Sequence, residues 1–166
     1  MHHRIRRQLL AGLVGCLSLA ALGAAPAGAV NQTAVIGAVT RTFSFIASPN
    51  GKAGKAIVNI NGLLMNARCD ASGRPIVFAF SSANAADLFG RVFDGAGRVN
   101  VVHNTVFNRT NRGVLVSPSR NDFNSTGSLL FENVNGRVVT VNIAMDNSTT
   151  LDGRRVCTVF GSWIAS

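Results

Sequence analysis

The stretch that decides the fold is residues 128–145, which read SLLFENVNGRVVTVNIAM. Apolar residues occupy every second position on both sides of the pair Asn135-Gly136, namely Leu129, Phe131, Val139, Val141, Ile143 and Met145. Such alternation is typical of strands with one buried face. Asn-Gly between two alternating runs is a strong signal for the two-residue turn of a β-hairpin. The stretch therefore predicts an antiparallel β-hairpin.

The same period of two recurs along the chain. It predicts further strands within 35–45, 56–69, 76–81, 88–93, 99–107, 113–116 and 155–164. The apolar face changes phase at Asn61-Gly62, which indicates a bulge or a tight hairpin because one extra residue reverses the pleat. Residues 83–88, preceded by Ser82, are the one place where the pattern favours a short helix.

These patterns predict an all-β fold, a single antiparallel β-sandwich or small barrel of about eight strands formed by residues 30–166. A short parallel β-helix is the alternative, because Asn100, Asn104, Asn108 and Asn111 resemble the asparagine-rich rungs of such solenoids. That pattern does not recur at a fixed period elsewhere, and the Asn-Gly hairpin is antiparallel. We therefore expect the sandwich or barrel.

Residues 1–29 have the organisation of a cleaved signal peptide. A basic start with three arginines precedes the apolar run 9–25, and Ala27-Gly28-Ala29 matches the small-residue cleavage pattern, so that Val30 begins the mature chain. Arg6-Arg7 leaves open whether export follows the general or the twin-arginine route. Leu13-Val14-Gly15-Cys16 also resembles a lipoprotein signal, which makes a lipid anchor at Cys16 the alternative to free secretion.

Removal of residues 1–29 leaves 13 basic and 7 acidic side chains, a formal net charge of +6. No later apolar stretch reaches the roughly 18 residues that a membrane helix needs, so the mature chain is expected to contain no transmembrane segment. Only two cysteines remain, Cys69 and Cys157, and an oxidising compartment predicts that they form a disulfide. The bridge would join the last strand to the first third of the domain.

Several segments together carry a resemblance: Phe43-Ser44-Phe45, the run from Gly62 to Cys69, the run from Gly127 to Val141, and the closing Cys157 and Gly161. In this arrangement the chain resembles small secreted two-cysteine β-proteins of high-GC Gram-positive bacteria. The resemblance covers most of the mature chain and implies export, β-structure and the disulfide. It implies no activity.

Catalytic residues are sparse. His103 is the only imidazole after residue 29, and it lies within a predicted apolar strand, where a structural role is favoured over that of a general base. Glu132 is the only glutamate, and six aspartates are scattered along the chain, so the spacing suggests no carboxylate pair of the kind that glycosidases use. A small secreted hydrolase that uses His103 or Glu132 with a nearby Asp is therefore a minor hypothesis.

The sequence predicts no cofactor and no zinc site, because bonded cysteines and one histidine cannot supply the usual ligands. Calcium has weak candidates in Asp146 and Asp152, which lie in a loop rich in side-chain oxygens. A solvated Asx-rich turn is the favoured interpretation of that loop.

The basic residues concentrate in the loop 108–121, where Arg109, Asn111, Arg112 and Arg120 are candidates for binding an anionic polymer or a glycan. Aromatic residues do not alternate with these charges, which disfavours nucleic acid as the partner. The composition and motifs predict an exported, non-enzymatic structural or binding module at the cell envelope or outside the cell. Its partner, an anionic cell-envelope polymer or a glycan, is an expectation from the loop alone.

Overall fold

The computed structural model describes residues 37–49, 54–110, 113–117 and 124–166, all of them within one compact unit, Ala34–Ser166. The described residues are all-β, every strand pairing is antiparallel, and no helix is present among them. None of this described part therefore provides a helix able to cross a membrane. The predicted signal peptide, with Cys16, lies outside the described residues, as does the domain boundary at residue 29.

The described strands are, in chain order, β1 Val39–Ala47, β2 Lys55–Ile60, β3 Leu63–Cys69, β4 Pro75–Ser81, β5 Ala86–Asp94, β6 Val99–Phe107, β7 Val114–Leu115, β8 Asn124–Glu132, β9 Val138–Asp146, β10 Thr150–Leu151, β11 Arg154–Arg155 and β12 Cys157–Ala165. Six of them form one sheet in the order β1-β12-β9-β8-β5-β6, and four form a second in the order β2-β3-β4-β7. Strands β10 and β11 form a small separate ribbon.

Residues from both sheets contribute to one hydrophobic core, which gives the arrangement of a sandwich. In the predicted hairpin, Leu129 pairs with Val141 and Phe131 with Val139, and all four side chains are buried. The same core cluster includes Leu63 and Met65 from the smaller sheet, which are also buried. The alternation read from the sequence is thus the alternation between core and surface.

The change of phase at Asn61-Gly62 is a tight hairpin between β2 and β3. Ile60 pairs with Leu63, so the two strands are joined by only two residues, both with positive φ (51° and 94°). Paired residues share a face of the sheet, which is why the apolar positions jump from even to odd numbers across the turn.

Three other hairpin turns repeat one motif, Asp or Asn followed three residues later by Gly-Arg, at 70–74, 94–98 and 133–137. In each turn the first side chain accepts hydrogen bonds from the backbone N–H groups two and four residues later. Each glycine has positive φ, between 71° and 81°. The repetition is visible in the sequence but was not among our sequence-based predictions.

One sequence-based prediction about local structure is wrong, and the alternative fold is excluded. The segment predicted as a short helix is instead a bend followed by β5, because Ala85 adopts a positive φ of 55° and Ala86 enters the core as the first residue of that strand. The parallel β-helix is excluded for the described residues, since Asn100 and Asn104 lie in β6, antiparallel to β5. The described strands form no closed barrel either, because each of their two sheets ends in edge strands.

The predicted disulfide between Cys69 and Cys157 is confirmed. Cys69 ends β3 in the smaller sheet and Cys157 begins β12 in the larger one, with their Cα atoms 5.7 Å apart and both residues buried. The bond therefore links the two layers of the sandwich directly. It joins residues 88 positions apart, a separation at which a cross-link removes much of the entropy of the unfolded chain.

Replacement of Cys69 by serine is expected to lower the free energy of unfolding by roughly 2–5 kcal/mol and to leave Cys157 as a reactive thiol. Urea unfolding with and without reductant measures the effect. The double variant Cys69→Ser/Cys157→Ser should match the single variant in stability. A native wild-type protein that reacts with two equivalents of thiol reagent would contradict the assignment.

Acid sensitivity is expected from Asp70. Burial by itself raises the pKa of this carboxyl, but hydrogen bonds from Ser72 and Arg74 and the charge of Arg74 outweigh burial, so the pKa lies below its ordinary value of 3.8. A lowered folded-state pKa means that the charged carboxylate stabilises the fold above about pH 4, and that this stabilisation is lost as the pH falls through the folded-state pKa.

Replacement of Asp70 by asparagine keeps the acceptor oxygen, as Asn133 does in the equivalent turn, but removes the charge. We expect the variant to be less stable than the wild type by up to about 1 kcal/mol at pH 7, and the two unfolding curves to converge as the pH approaches 2. Asp70→Ala, which also loses the acceptor, serves as the control and should be the least stable of the three at pH 7. Wild-type and Asp70→Asn stabilities that stay parallel from pH 7 to pH 2 would refute this role.

Candidate functional site

The outer face of the six-stranded sheet, the side turned away from the smaller sheet, carries a regular lattice of side chains. One row crosses the sheet through Thr42, Ser162, Asn142, Ser128 and Arg91, each paired with the next on the neighbouring strand. This row is polar on these five strands and ends on β6 at Val101, which pairs with Arg91. It exists because the residues that alternate with the core positions must face outward.

The two adjoining rows are more apolar. One runs through Ser44, Phe160, Ala144, Thr126, Phe93 and Val99, and the other through Thr40, Ile164, Thr140, Leu130, Phe89 and His103. Exposed fractions reach 52% for Phe160 and 45% for Phe93. The outer face thus places exposed phenyl rings on either side of a strip of hydroxyl, amide and guanidinium groups.

Two depressions on this face share Thr126 and Gly127 and together form what we call the outer trough. Their volumes are about 800 Å³ and 470 Å³. The lining consists of Phe89, Gly90, Arg91, Phe93, Val101, Val102, His103, Thr126, Gly127, Ser128, Asn142, Ile143, Ala144, Phe160, Gly161 and Ser162. The trough therefore crosses five neighbouring strands, from β6 at one edge to β12.

Three glycines of the strands that form the trough have their missing β-carbons on the core face of the sheet, where the neighbouring strands approach closely. At Gly127 a β-carbon would lie 2.8 Å from the Cα atom of Val92, and at Gly90 it would lie 2.6 Å from the carbonyl oxygen of Ser128. At Gly161 it would meet the Phe43 ring at 2.8 Å. No side chain fits at these three positions, so neighbouring segments approach there more closely than any other residue allows.

The charged groups of the trough are basic. Arg91 is exposed between Phe89 and Phe93 on β5, and no carboxylate is present among the lining residues. His103 stacks on Phe89, with ring centroids 4.9 Å apart and planes at 29°. The environment suits an uncharged or anionic ligand and disfavours a cationic one.

The fold does bring a carboxylate to Glu132, the candidate of the hydrolase hypothesis. Asp87 pairs directly with Glu132 across β5 and β8, which places their β-carbons about 5 Å apart. Both lie outside the trough lining, whereas His103 lines the trough on β6 and contacts Phe89. The three candidate groups for acid–base catalysis are therefore not gathered into the trough.

The predicted binding loop is described only in part. Asn111, Arg112 and Arg120 lie outside the described residues, and only Arg109 is visible. Its Nε donates a hydrogen bond to the carbonyl oxygen of Ser82, which ties the start of the loop to the bend before β5. Arg109 is nevertheless exposed, and binding through this loop stays a prediction.

The calcium candidates occupy separate turns. Asp146 Oδ1 accepts hydrogen bonds from Ser148 N (2.6 Å) and Oγ (2.7 Å), and Oδ2 accepts one from Thr149 Oγ1 (2.7 Å). Burial raises the pKa of Asp146, but these hydrogen bonds outweigh burial and lower the pKa below 3.8. Asp152 lies exposed in the turn between β10 and β11.

Metal binding by Asp146 and Asp152 stays a prediction. Among the described residues, no three His, Cys, Asp or Glu side chains form a group that could hold a metal ion. The hydrogen bonds of Asp146 give it a structural role within its own loop.

No family model matches the chain, and no curated protein and no solved structure is similar to it.

Replacement of Gly127 by alanine is expected to lower the free energy of unfolding by about 1–3 kcal/mol, because the new β-carbon meets the backbone of β5, which cannot move aside as a flexible side chain would. Chemical denaturation measures the loss. Gly95→Ala is the matched control, since its β-carbon would lie 3.5 Å from the nearest atom and should change stability by less than about 0.5 kcal/mol. Equal effects at both positions would show that close approach at Gly127 does not shape the sheet.

Proposed function

We propose that the protein is an exported, non-enzymatic binding module that acts at the cell envelope or outside the cell, and that its ligand is a linear glycan bearing acidic groups. The observation that carries the proposal is the outer trough, which combines exposed phenyl rings, a strip of hydrogen-bonding side chains and a guanidinium group. The export signal and the resemblance to small secreted two-cysteine proteins support the location outside the cytoplasm.

The shape of the trough suits a chain more than a small molecule. Neighbouring strands lie about 4.8 Å apart, so the path from β6 to β12 is about 19 Å long. The depression is shallow and lies on the surface of a sheet. A polymer that lies across the strands can use the full length, whereas a single sugar would contact only one part of it.

The side chains of the trough match the two surfaces of a sugar. The faces of pyranose rings present C–H groups, which pack against exposed aromatic rings such as Phe93 and Phe160, while hydroxyl groups project from the ring edge. Phe93 and Phe160 share one row and are separated by three strand spacings, about 14 Å. Between the two rows of rings, Ser128 and Asn142 offer donors and acceptors to the hydroxyl groups.

Arg91 favours acidic sugars over neutral ones. A guanidinium group binds a carboxylate through two parallel hydrogen bonds, and these are about twice as strong as bonds between neutral groups. The lining contains no acidic side chain that would compete for Arg91 or repel an anionic polymer. The net charge of +6 for residues 30–166 draws such a polymer toward the protein at low ionic strength.

Calorimetry with polygalacturonate tests the proposal, with the methyl-esterified polymer as the uncharged match. We expect the acidic polymer to bind more tightly, and Arg91→Ala to weaken binding about tenfold through loss of a charge-assisted hydrogen bond. Phe93→Ala should weaken binding of both polymers severalfold, because stacking does not depend on the carboxylate.

Arg109→Ala is the matched control, since it removes the same charge from the loop 108–121 instead of the trough. Unchanged binding by Arg109→Ala together with weaker binding by Arg91→Ala supports the trough. The reverse result would assign binding to the loop, and no binding to either polymer would favour a purely structural module. Hydrolysis of the polymer that is lost on Glu132→Gln would overturn the non-enzymatic assignment.

A further inference from the structure

Among the described strands, the two sheets have four edges, and three of these edges carry features that discourage pairing with another chain. Strand β2 has a register irregularity between Ala56 and Val58 and begins with Lys55. Strand β7 is only two residues long. Strand β6 has an extra residue against β5 near its end, where Ala86 pairs with Phe107 but Leu88 pairs with Asn104. Bulges, charges and short strands are the usual means of blocking edge-to-edge association.

Strand β1 has neither a short length nor an irregular register. All nine of its residues, Val39–Ala47, pair with β12 in one uninterrupted register, and among the described strands β12 is its only partner. It contains no proline, and Arg41 is its single charged residue. Val39 is 45% exposed and Ile46 62% exposed. The edge therefore presents a long, regular row of backbone donors and acceptors.

We propose that β1 is an association edge whose partner is β1 of a second copy of this chain, paired antiparallel about Phe43. The two six-stranded sheets then join into one sheet of twelve strands. The symmetry is two-fold, so each copy gives and receives the same hydrogen bonds.

The register follows from the pleat. If the two-fold axis keeps both smaller sheets on the same side of the joined sheet, outward-facing residues of one copy must lie opposite outward-facing residues of the other. This requires that the axis pass between two equivalent residues and not between two equivalent peptide bonds. Among such registers, only the one centred on Phe43 pairs all nine residues, from Val39 against Ala47 of the second copy onward. It also avoids a charge clash, because Arg41 lies opposite Phe45 of the second copy.

The side chains on the outer face are complementary in this register. Thr42 lies opposite Ser44 of the second copy, and Thr–Ser pairs across antiparallel strands are favourable. Both outer troughs, which reach Phe160 and Ser162 on β12, would open on the same face of the joined sheet.

Charge substitutions on β1 test the pairing in the chain without residues 1–29, which retains the whole compact unit Ala34–Ser166. Sedimentation velocity over a concentration series is expected to show a reversible dimer for the wild type. Thr42→Lys/Ser44→Lys places two pairs of like charges opposite each other, and should weaken the dimer about tenfold or more at low salt. Both positions are exposed, so the monomer should fold normally.

The matched variant Thr42→Lys/Ser44→Glu changes the same two residues but places opposite charges together, and should dimerise at least as well as the wild type. Far-ultraviolet circular dichroism and the unfolding midpoint confirm that both variants fold. A wild type that is monomeric at every concentration would overturn the proposal, as would a dimer that the two variants affect equally. A dimer lost with paired lysines and restored with the lysine–glutamate pair would establish it.

Discussion

The structure depends on burying alternate side chains between two sheets. Because the β pleat turns successive residues to opposite faces, each residue committed to the core also commits its neighbours to the surface. When Leu129 and Val141 enter the core, Ser128 and Asn142 must face outward, and their strands align them into one row. The lattice of the outer trough is thus a direct consequence of how the core is packed.

The disulfide strengthens this arrangement at the ends of two strands. Cys69 ends β3 and Cys157 begins β12, both are buried, and their bond holds the two layers together. The turns that begin with Asp or Asn stabilise both ends of the sandwich. They fix the chain reversals at Asp70, Asp94 and Asn133 through side chains that accept two backbone hydrogen bonds each.

The outer face combines features that a stable fold does not require. Exposed phenyl rings at Phe93 and Phe160 gain little from the hydrophobic effect where they stand, and the core does not need Arg91. A surface that maintains both features at once is the basis of the proposed glycan site.

Local patterns predicted a large part of the fold. The hairpin around Asn135-Gly136, the turn at Asn61-Gly62 and the pairing of Cys69 with Cys157 all depend on residue type and spacing, which are visible along the chain. The segment 83–88 shows where local reasoning fails. Its sequence is compatible with a helix, but tertiary contacts decide the conformation, because Ala86 is needed in the core as the first residue of β5.

By itself, the sequence determined which residues alternate between core and surface and where the two Asn-Gly turns lie, because these properties follow from neighbours along the chain. It also determined that one disulfide closes the domain, because only two cysteines follow residue 29. Only the tertiary structure decided that β5 pairs with β8 and β1 with β12. Those pairings join segments that are distant in sequence, and no local pattern specifies which strands become neighbours or in what register. The outer trough, the pairing of Asp87 with Glu132 and the open edge at β1 all arise from that choice of neighbours.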